Sequence, residues 1–203
     1  MNTLNNYFEK IYYLNLHRRP DRNQECISEL SKYGIVADRF DAVDAKELGL
    51  LSWMGCLLSN LEIIKTAKSK GFKNILILED DVIFNENFEL LFNNYINQVP
   101  DDWDMLYLSG NHNEHVGFSK NMISSNVIKC YMTYSTHSFA VKSSVYDLII
   151  NYLTNIQTKP VDVLYTDIQK MCNAYSLSPG LTTQRVGFSD IENKFVDNRI
   201  NIK

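Results

Sequence analysis

Between Asn74 and Phe84 the chain reads Asn-Ile-Leu-Ile-Leu-Glu-Asp-Asp-Val-Ile-Phe, an apolar run that ends abruptly in three carboxylates. Four large aliphatics in a row, with no polar alternation, predict a strand covered on both faces, as inside a parallel sheet. Glu79, Asp80 and Asp81 then fall at its carboxyl end, where the loops of an open α/β sheet leave a crevice for ligands. Neighbouring carboxylates repel one another, so folding them into a crevice calls for water, a helix dipole or a cation. Oxygen-only ligands favour a hard ion such as Mn²⁺ or Mg²⁺, which keeps waters and completes its shell with substrate phosphates. The competing reading is a solvated acidic turn.

The rest of the chain supplies the partners such a strand needs. Ile11 to Leu16 reads as a buried strand, Gln24 to Tyr33 as a helix stopped by Gly34, and Ile35 to Phe40 as a second strand. Leu57, Leu58, Leu61, Ile64 and Ala67 make a helical stripe from Met54 to Ser69, closed by Gly71. After the acids come a helix over Phe88 to Asn97 and a strand over Asp104 to Gly110. Shorter strands over 127–133 and 138–141 flank a loop carrying His137, and helices follow over 143–153 and 162–172. Strands alternating with helices predict an α/β sheet flanked by helices, mixed but mostly parallel. The 203 residues show no repeat or Pro/Gly/Ser linker and fit one domain.

Composition removes several classes. A net charge of -4 and a pI of 5.6 argue against a dedicated nucleic-acid binder, which needs surplus Lys and Arg. Cys26, Cys56, Cys130 and Cys172 are scattered, with no zinc spacing and no dense disulfide framework, and are read as reduced. No run of eighteen apolar residues occurs and the first ten are polar, which predicts a soluble chain, cytoplasmic or peripheral at a membrane face. The wealth of Asn, Ile and Lys echoes an AT-rich bacterial or viral genome. A receiver domain also ends a strand in acids, but there the acids come near the N-terminus, whereas here some seventy residues precede them.

Arg18, Arg19 and Arg22 follow the first strand and suit an anion, since guanidinium groups bind phosphate bidentately. Beside the acidic strand they predict a diphosphate bridging arginines and metal.

Several short motifs in collinear order resemble the family 25 glycosyltransferases, which include lipooligosaccharide and collagen galactosyltransferases. They are Tyr13 to Arg22, Phe40 to Asp44, Gly55 to Asn60, Leu78 to Val82, Asp102 to Leu108, Thr136 to Val141, and Gln184 to Ile191. The resemblance implies a GT-A type nucleotide-sugar fold holding a UDP-sugar and Mn²⁺ or Mg²⁺, with inversion at the anomeric carbon. Residues 10–110 would form the nucleotide part of a single 1–203 domain, and residues 111–203 the acceptor part and tail.

By the same resemblance Asp81 is placed on the metal, Glu79 as second ligand or its support, and Asp80 near the ribose or sugar. Asn15, Arg19 and Arg22 would face the nucleotide; Asp41, Ala42 and Asp44 would line its base and ribose; Ser59 would contact the donor sugar. Asn60 stands where the family commonly has His, and Asn cannot titrate near neutrality. Candidate bases are Asp162, which leads, Asp167, His137 and Asp190. Trp53, Tyr107, Tyr134, Phe139 and Phe188 are candidate sugar platforms, while Trp103 reads as packing. The function implied is hexosyl transfer, galactose or glucose, to a hydroxyl of a glycan or glycoprotein. The alternatives are a nucleotide-sugar-binding module without turnover and a metal-dependent nucleotidyltransferase.

Overall fold

The first strand, β1 (Lys10–Asn15), is apolar on both faces and has a sheet neighbour on each side. In the computed structural model, which describes residues 3–112 and 121–197, it follows a short helix α1 (Thr3–Tyr7) and turns into α2 (Pro20–Lys32). This helix starts a turn before Gln24, because Pro20 sits at its first positions, where a fixed φ and a missing N–H do no harm. Then come β2 (Asp38–Asp41), α3 (Ser52–Ser69) and β3 (Asn74–Glu79). β2 and β3 pair in parallel on opposite sides of β1. The strand order therefore reverses at β1, and right-handed crossovers put the two helices on opposite faces.

The chain continues through β4 (Val82–Phe84), α4 (Phe88–Ile96), β5 (Met105–Tyr107), β6 (Asn111–His112), β7 (Val127–Lys129), β8 (Thr133–Tyr134) and β9 (Ser138–Lys142). After a 3-10 turn at Ser143–Val145 come α5 (Tyr146–Asn155), α6 (Val161–Gln169), β10 (Ala174–Leu177), β11 (Thr182–Gln184), β12 (Gly187–Ser189) and β13 (Lys194–Val196). The main sheet has seven strands in the order β2-β1-β3-β9-β5-β10-β7. β9 opposes both its neighbours and β7 opposes β10, while the remaining pairs are parallel. All but β9 and β7 thus share one direction, and the mixed α/β sheet matches the expected class.

Side-chain alternation along the strands builds two cores. Tyr12, Leu14, Ile75 and Ile77 pack with Leu57, Leu61 and Ile64 of α3, Ile149 of α5 and Leu164 of α6. Ile11, Tyr13, Leu76 and Leu78 face the other way, onto Leu4, Leu30, Phe88 and Phe92 of α1, α2 and α4. Each such side chain contributes roughly 1.5–3 kcal/mol by burial. Tyr107 and Phe139 are among the fully buried rings and stack at 5.6 Å, so they are core and not sugar platforms. Trp103 packs as expected, its indole donating to Tyr7 Oη at 3.0 Å. Among the described residues no helix is long and apolar enough to cross a membrane.

The start of α3 is pressed against the loop after β2. A Cβ on Gly55 would lie 2.7 Å from the carbonyl oxygen of Val43 and 3.3 Å from Ala45. Backbone cannot yield there as a side chain would. Gly55→Ala is therefore expected to destabilise the fold by about 1–3 kcal/mol, the usual range for overpacking, read as a fall in the thermal unfolding midpoint.

Candidate active site

Strand alternation also sorts the three acids. Glu79 shares the face of Ile75 and Ile77, toward α3 and α6, whereas Asp80 shares the face of Leu76 and Leu78, toward α2. Asp80 is 7% exposed and accepts from Asn15 Nδ2 at 2.7 Å and Arg22 Nε at 2.7 Å. Arg22 Nη2 bridges Asp80 and Asp81, lying 2.9 Å from Asp81 Oδ2. Burial raises the Asp80 carboxyl above its ordinary range, against the pull of Arg22 and Asn15. Arg22, expected to face a nucleotide, is thus the standing counter-charge of the cluster.

Glu79 sits in a different pocket. It accepts from Thr136 Oγ1 at 2.8 Å and from Gln184 Nε2 at 3.4 Å. Burial, with Asp81 close by, pushes its carboxyl up to about 8. Thr136 follows Ser135, whose φ of 74° is the left-handed backbone that non-glycine residues seldom adopt. The segment 180–184 crosses the strand ends and meets them at alternate residues. Gly180 presses on Ser109, Thr182 Oγ1 lies 3.1 Å from His137 Nε2, and Gln184 reaches Glu79. Thr136 and Gln184 each open a motif picked out in the sequence, but their bonds to Glu79 and the strap over 180–183 were not foreseen, because neither residue type nor spacing marks a hydrogen-bond partner of a distant acid.

One buried carboxylate oxygen, Asp81 Oδ1, has no hydrogen-bond partner. An orphaned acceptor of this kind suits a cation, and with Glu79 it would offer two oxygen ligands. Among the described residues no three His, Cys, Asp or Glu side chains converge as a ready metal set. The donors therefore fit a hard ion that completes its shell with water and phosphate, and do not fit a closed protein cage. His137 adds nothing positive: fully buried, its imidazole is pushed down to about 4 and is neutral at neutral pH.

Around this centre most of the expected residues are already paired. Asn15, 1% exposed, also donates to the carbonyl of Arg19 at 3.1 Å and accepts from Arg39 Nε at 2.9 Å, while its carbonyl holds the N–H of Ala42 at 3.1 Å. Arg18 joins Asp44 to Asp190, and Arg19 joins Asp21 to Asp190. These arginines therefore each meet two acids of the chain. Asp41 is exposed and pairs with Arg39 at 2.7 Å.

Ser59, expected at the donor sugar, is fully buried: it donates to the Gly55 carbonyl at 2.6 Å and accepts from the Val43 N–H at 2.8 Å, and so fastens α3 to the 43–45 loop. Asn60 is equally buried, donating to the Cys56 carbonyl at 2.9 Å and accepting from Tyr165 Oη at 3.3 Å.

The candidate bases separate by position. Asp162 and Asp167 lie five residues apart on α6, well over a quarter-turn round its axis. Asp167 points to Tyr152 Oη at 3.0 Å and Lys170 at 3.1 Å, away from the acids, and those bonds hold it below its ordinary range. Asp162 is half-buried and bonds the N–H of Val163; the Cys56 thiol, raised chiefly by burial, is raised further by Glu79, Asp162 and Asp81. Asp162 alone of the four shares the Glu79 side of the sheet without being held by another side chain's bond. Asp190 is held by Arg18 and Arg19.

Residues 51–181, which include the acidic strand end, Thr136, His137 and Asp162, match the profile of glycosyltransferase family 25 (LPS biosynthesis protein). The chain belongs to that family. A family 25 relative, the probable inactive glycosyltransferase 25 family member 3 of Rattus norvegicus, is 30% identical over 129 residues, 50% of this chain and 22% of that protein. Procollagen galactosyltransferase 1 of Danio rerio is 25% identical over 128 residues, 50% of this chain and 21% of its own length. The matched stretch is thus about a fifth of these curated relatives. The fold is shared with a solved glycosyltransferase involved in glycosylation of the major capsid of PBCV-1. There the TM-score is 0.54 at 12% identity, over 91% of this chain and 95% of that one. The likeness places this family 25 chain in the GT-A-like α/β class.

The raised Glu79 makes a signed prediction. Its ordinary value is 4.5 and its folded value about 8, so the native state holds its proton across that window while the unfolded chain releases it. Stability from this group is present below pH 4.5 and is lost as pH rises toward 8. In EDTA, Glu79→Gln should lack that loss. Chemical denaturation at several pH values should show the variant gaining on the wild type from pH 5 to 8, whereas a constant difference would contradict the assignment.

Proposed function

We propose that the protein is a metal-dependent, inverting glycosyltransferase that moves a hexose, galactose or glucose, from a UDP-sugar to a hydroxyl of a glycan or glycoprotein. The observation that carries the reading is the pair Glu79 and Asp81 at the end of β3, inside the family match, with one buried oxygen lacking a proton donor. Glu79 and Asp81 would hold Mn²⁺ or Mg²⁺, which when bound supplies Lewis-acid neutralisation of diphosphate charge. Asn15, Ala42 and Asp44, gathered at the end of β1, would take the nucleoside end of the donor, with Arg19 beside them. Arg22 fixes Asp80 and Asp81, so that the acids keep their places before any ligand arrives.

An inverting displacement needs a base beside the acceptor hydroxyl, on the side opposite the leaving group. Asp162 is assigned that role because His137, Asp167 and Asp190 are held by other side chains. In this scheme residues 10–110 serve the nucleotide, and the remainder serves the acceptor. The reading rests on the family match, the buried acids and the fold.

A second reading, a nucleotide-sugar-binding module without turnover, is favoured by two observations. Asn60, at the position where the family resemblance implies His, is locked between Cys56 and Tyr165, and a relative of the same family carries the name probable inactive.

Titration with UDP and Mn²⁺, followed by a UDP-release assay on UDP-galactose and UDP-glucose, tests both. Binding with release supports the transferase, binding without release supports the module, and no UDP binding removes both. Asp81→Asn should lower Mn²⁺-dependent release by roughly a hundredfold or more, in line with the several kcal/mol a Lewis acid supplies, while the unfolding midpoint holds within a few degrees. Unchanged release would reject Asp81 as a ligand.

A further inference from the structure

Four exposed apolar side chains, Val186, Phe188, Ile191 and Phe195, come from one short segment at the mouth of the acidic crevice. Phe188 and Phe195 are direct cross-strand partners in the β12–β13 hairpin, so their rings leave the same face of the ribbon. They are 42% and 75% exposed, and neither packs into either core.

The hairpin is stitched to the acids. Gln184 reaches Glu79, and the Arg185 N–H donates to the Asp81 carbonyl at 2.7 Å. The Phe188 carbonyl accepts from Arg22 Nη1 at 3.4 Å, through the guanidinium that bridges Asp80 and Asp81. Asp190 is held by Arg18 and Arg19. Two hydrogen bonds and the width of one guanidinium therefore separate the Phe188 backbone from Asp81.

We propose that this hairpin is the acceptor platform of the site, with Phe188 and Phe195 packing against the C–H face of a neutral hexose in the acceptor; the proposal rests on the glycosyl-transfer reading. A hexose offers apolar C–H patches to aromatic rings and keeps its hydroxyls in water or on polar groups. The charge around the rings fits a neutral ligand. Arg18 and Arg19 offset Asp190, and Glu192 pairs with Lys194 at 2.8 Å. Among the described residues around the rings no basic surplus is present such as an anionic bilayer or a nucleic acid would require. Of the aromatics expected to meet sugar, Tyr107 and Phe139 are buried, whereas Phe188 is open.

The full chain is titrated with methyl β-D-galactopyranoside, methyl β-D-glucopyranoside and lactose by saturation-transfer NMR, beside Phe188→Ala, Phe195→Ala and Phe195→Tyr. At least one glycoside should bind, with strongest transfer to its ring C–H protons. Affinity should weaken roughly fivefold or more in each Ala variant and persist in Phe195→Tyr. UDP and Mn²⁺ affinity and the unfolding midpoint should stay as in the wild type. No glycoside binding to the wild type, or equal binding by the Ala variants, overturns the proposal. So does a wild-type dimer in sedimentation velocity, or capture by phosphatidylcholine vesicles, that Phe195→Ala abolishes. UDP titration of the same samples separates the two claims: lost glycoside binding with intact UDP binding rejects the platform alone, and absent UDP binding rejects the transferase reading.

Discussion

Of the three neighbouring carboxylates at the end of a buried strand, two are held in place by one guanidinium. Arg22 reaches back from the first turn of α2 to bridge Asp80 and Asp81, and Asn15 completes the shell of Asp80 from the adjacent strand. Without that arrangement, desolvation would drive the acids to protonate or swing outward. Its geometry also explains the split between the two faces. Asp80, on the α2 side, is satisfied by charge. Glu79, on the α3 and α6 side, is satisfied by Thr136 and Gln184 and retains its proton toward neutrality.

What the sequence revealed and what it concealed have a common cause. The β3 run, the α3 stripe and the acids announce themselves because periodicity and clustering are local. Each strand that the reading missed is short: β10, four residues at an interior position of the sheet, β4, β11, β12 and β13, three residues each, and β6, two. β10 and β11 are defined by partners far along the chain, and β12 and β13 by each other. In the site, residue type foretold Asp80 and Asp81 but not who answers them. The arginines after β1 were legible as anion seekers; that they meet Asp44, Asp80 and Asp81 depends on the sheet bringing β2 and β3 beside β1, and that they meet Asp190 depends on the chain folding back near its end. Ser59 shows the same limit, since a hydroxyl in a helix looks identical whether it faces a ligand or a loop.

Family membership and local chemistry meet at Asn60. A His at that position could exchange protons near neutrality, whereas the amide here has a fixed donor and a fixed acceptor, and both are engaged. The position has become a strut between α3 and α6. The carboxylates on this side of the sheet are Glu79 and Asp162, which lie on different elements near Cys56.

The Arg18 link between Asp44 and Asp190 ties three stretches of chain into one knot: the turn after β1, the loop after β2 and the hairpin loop near the end. Its ions are partly open to solvent, so their attraction is subject to screening over a Debye length of about 8 Å at physiological salt. Ionic strength therefore becomes a handle on how firmly residues 184–197 sit over the crevice. The rim of the pocket is fastened electrostatically while its floor is fastened by hydrophobic packing, and salt acts on the first far more than on the second.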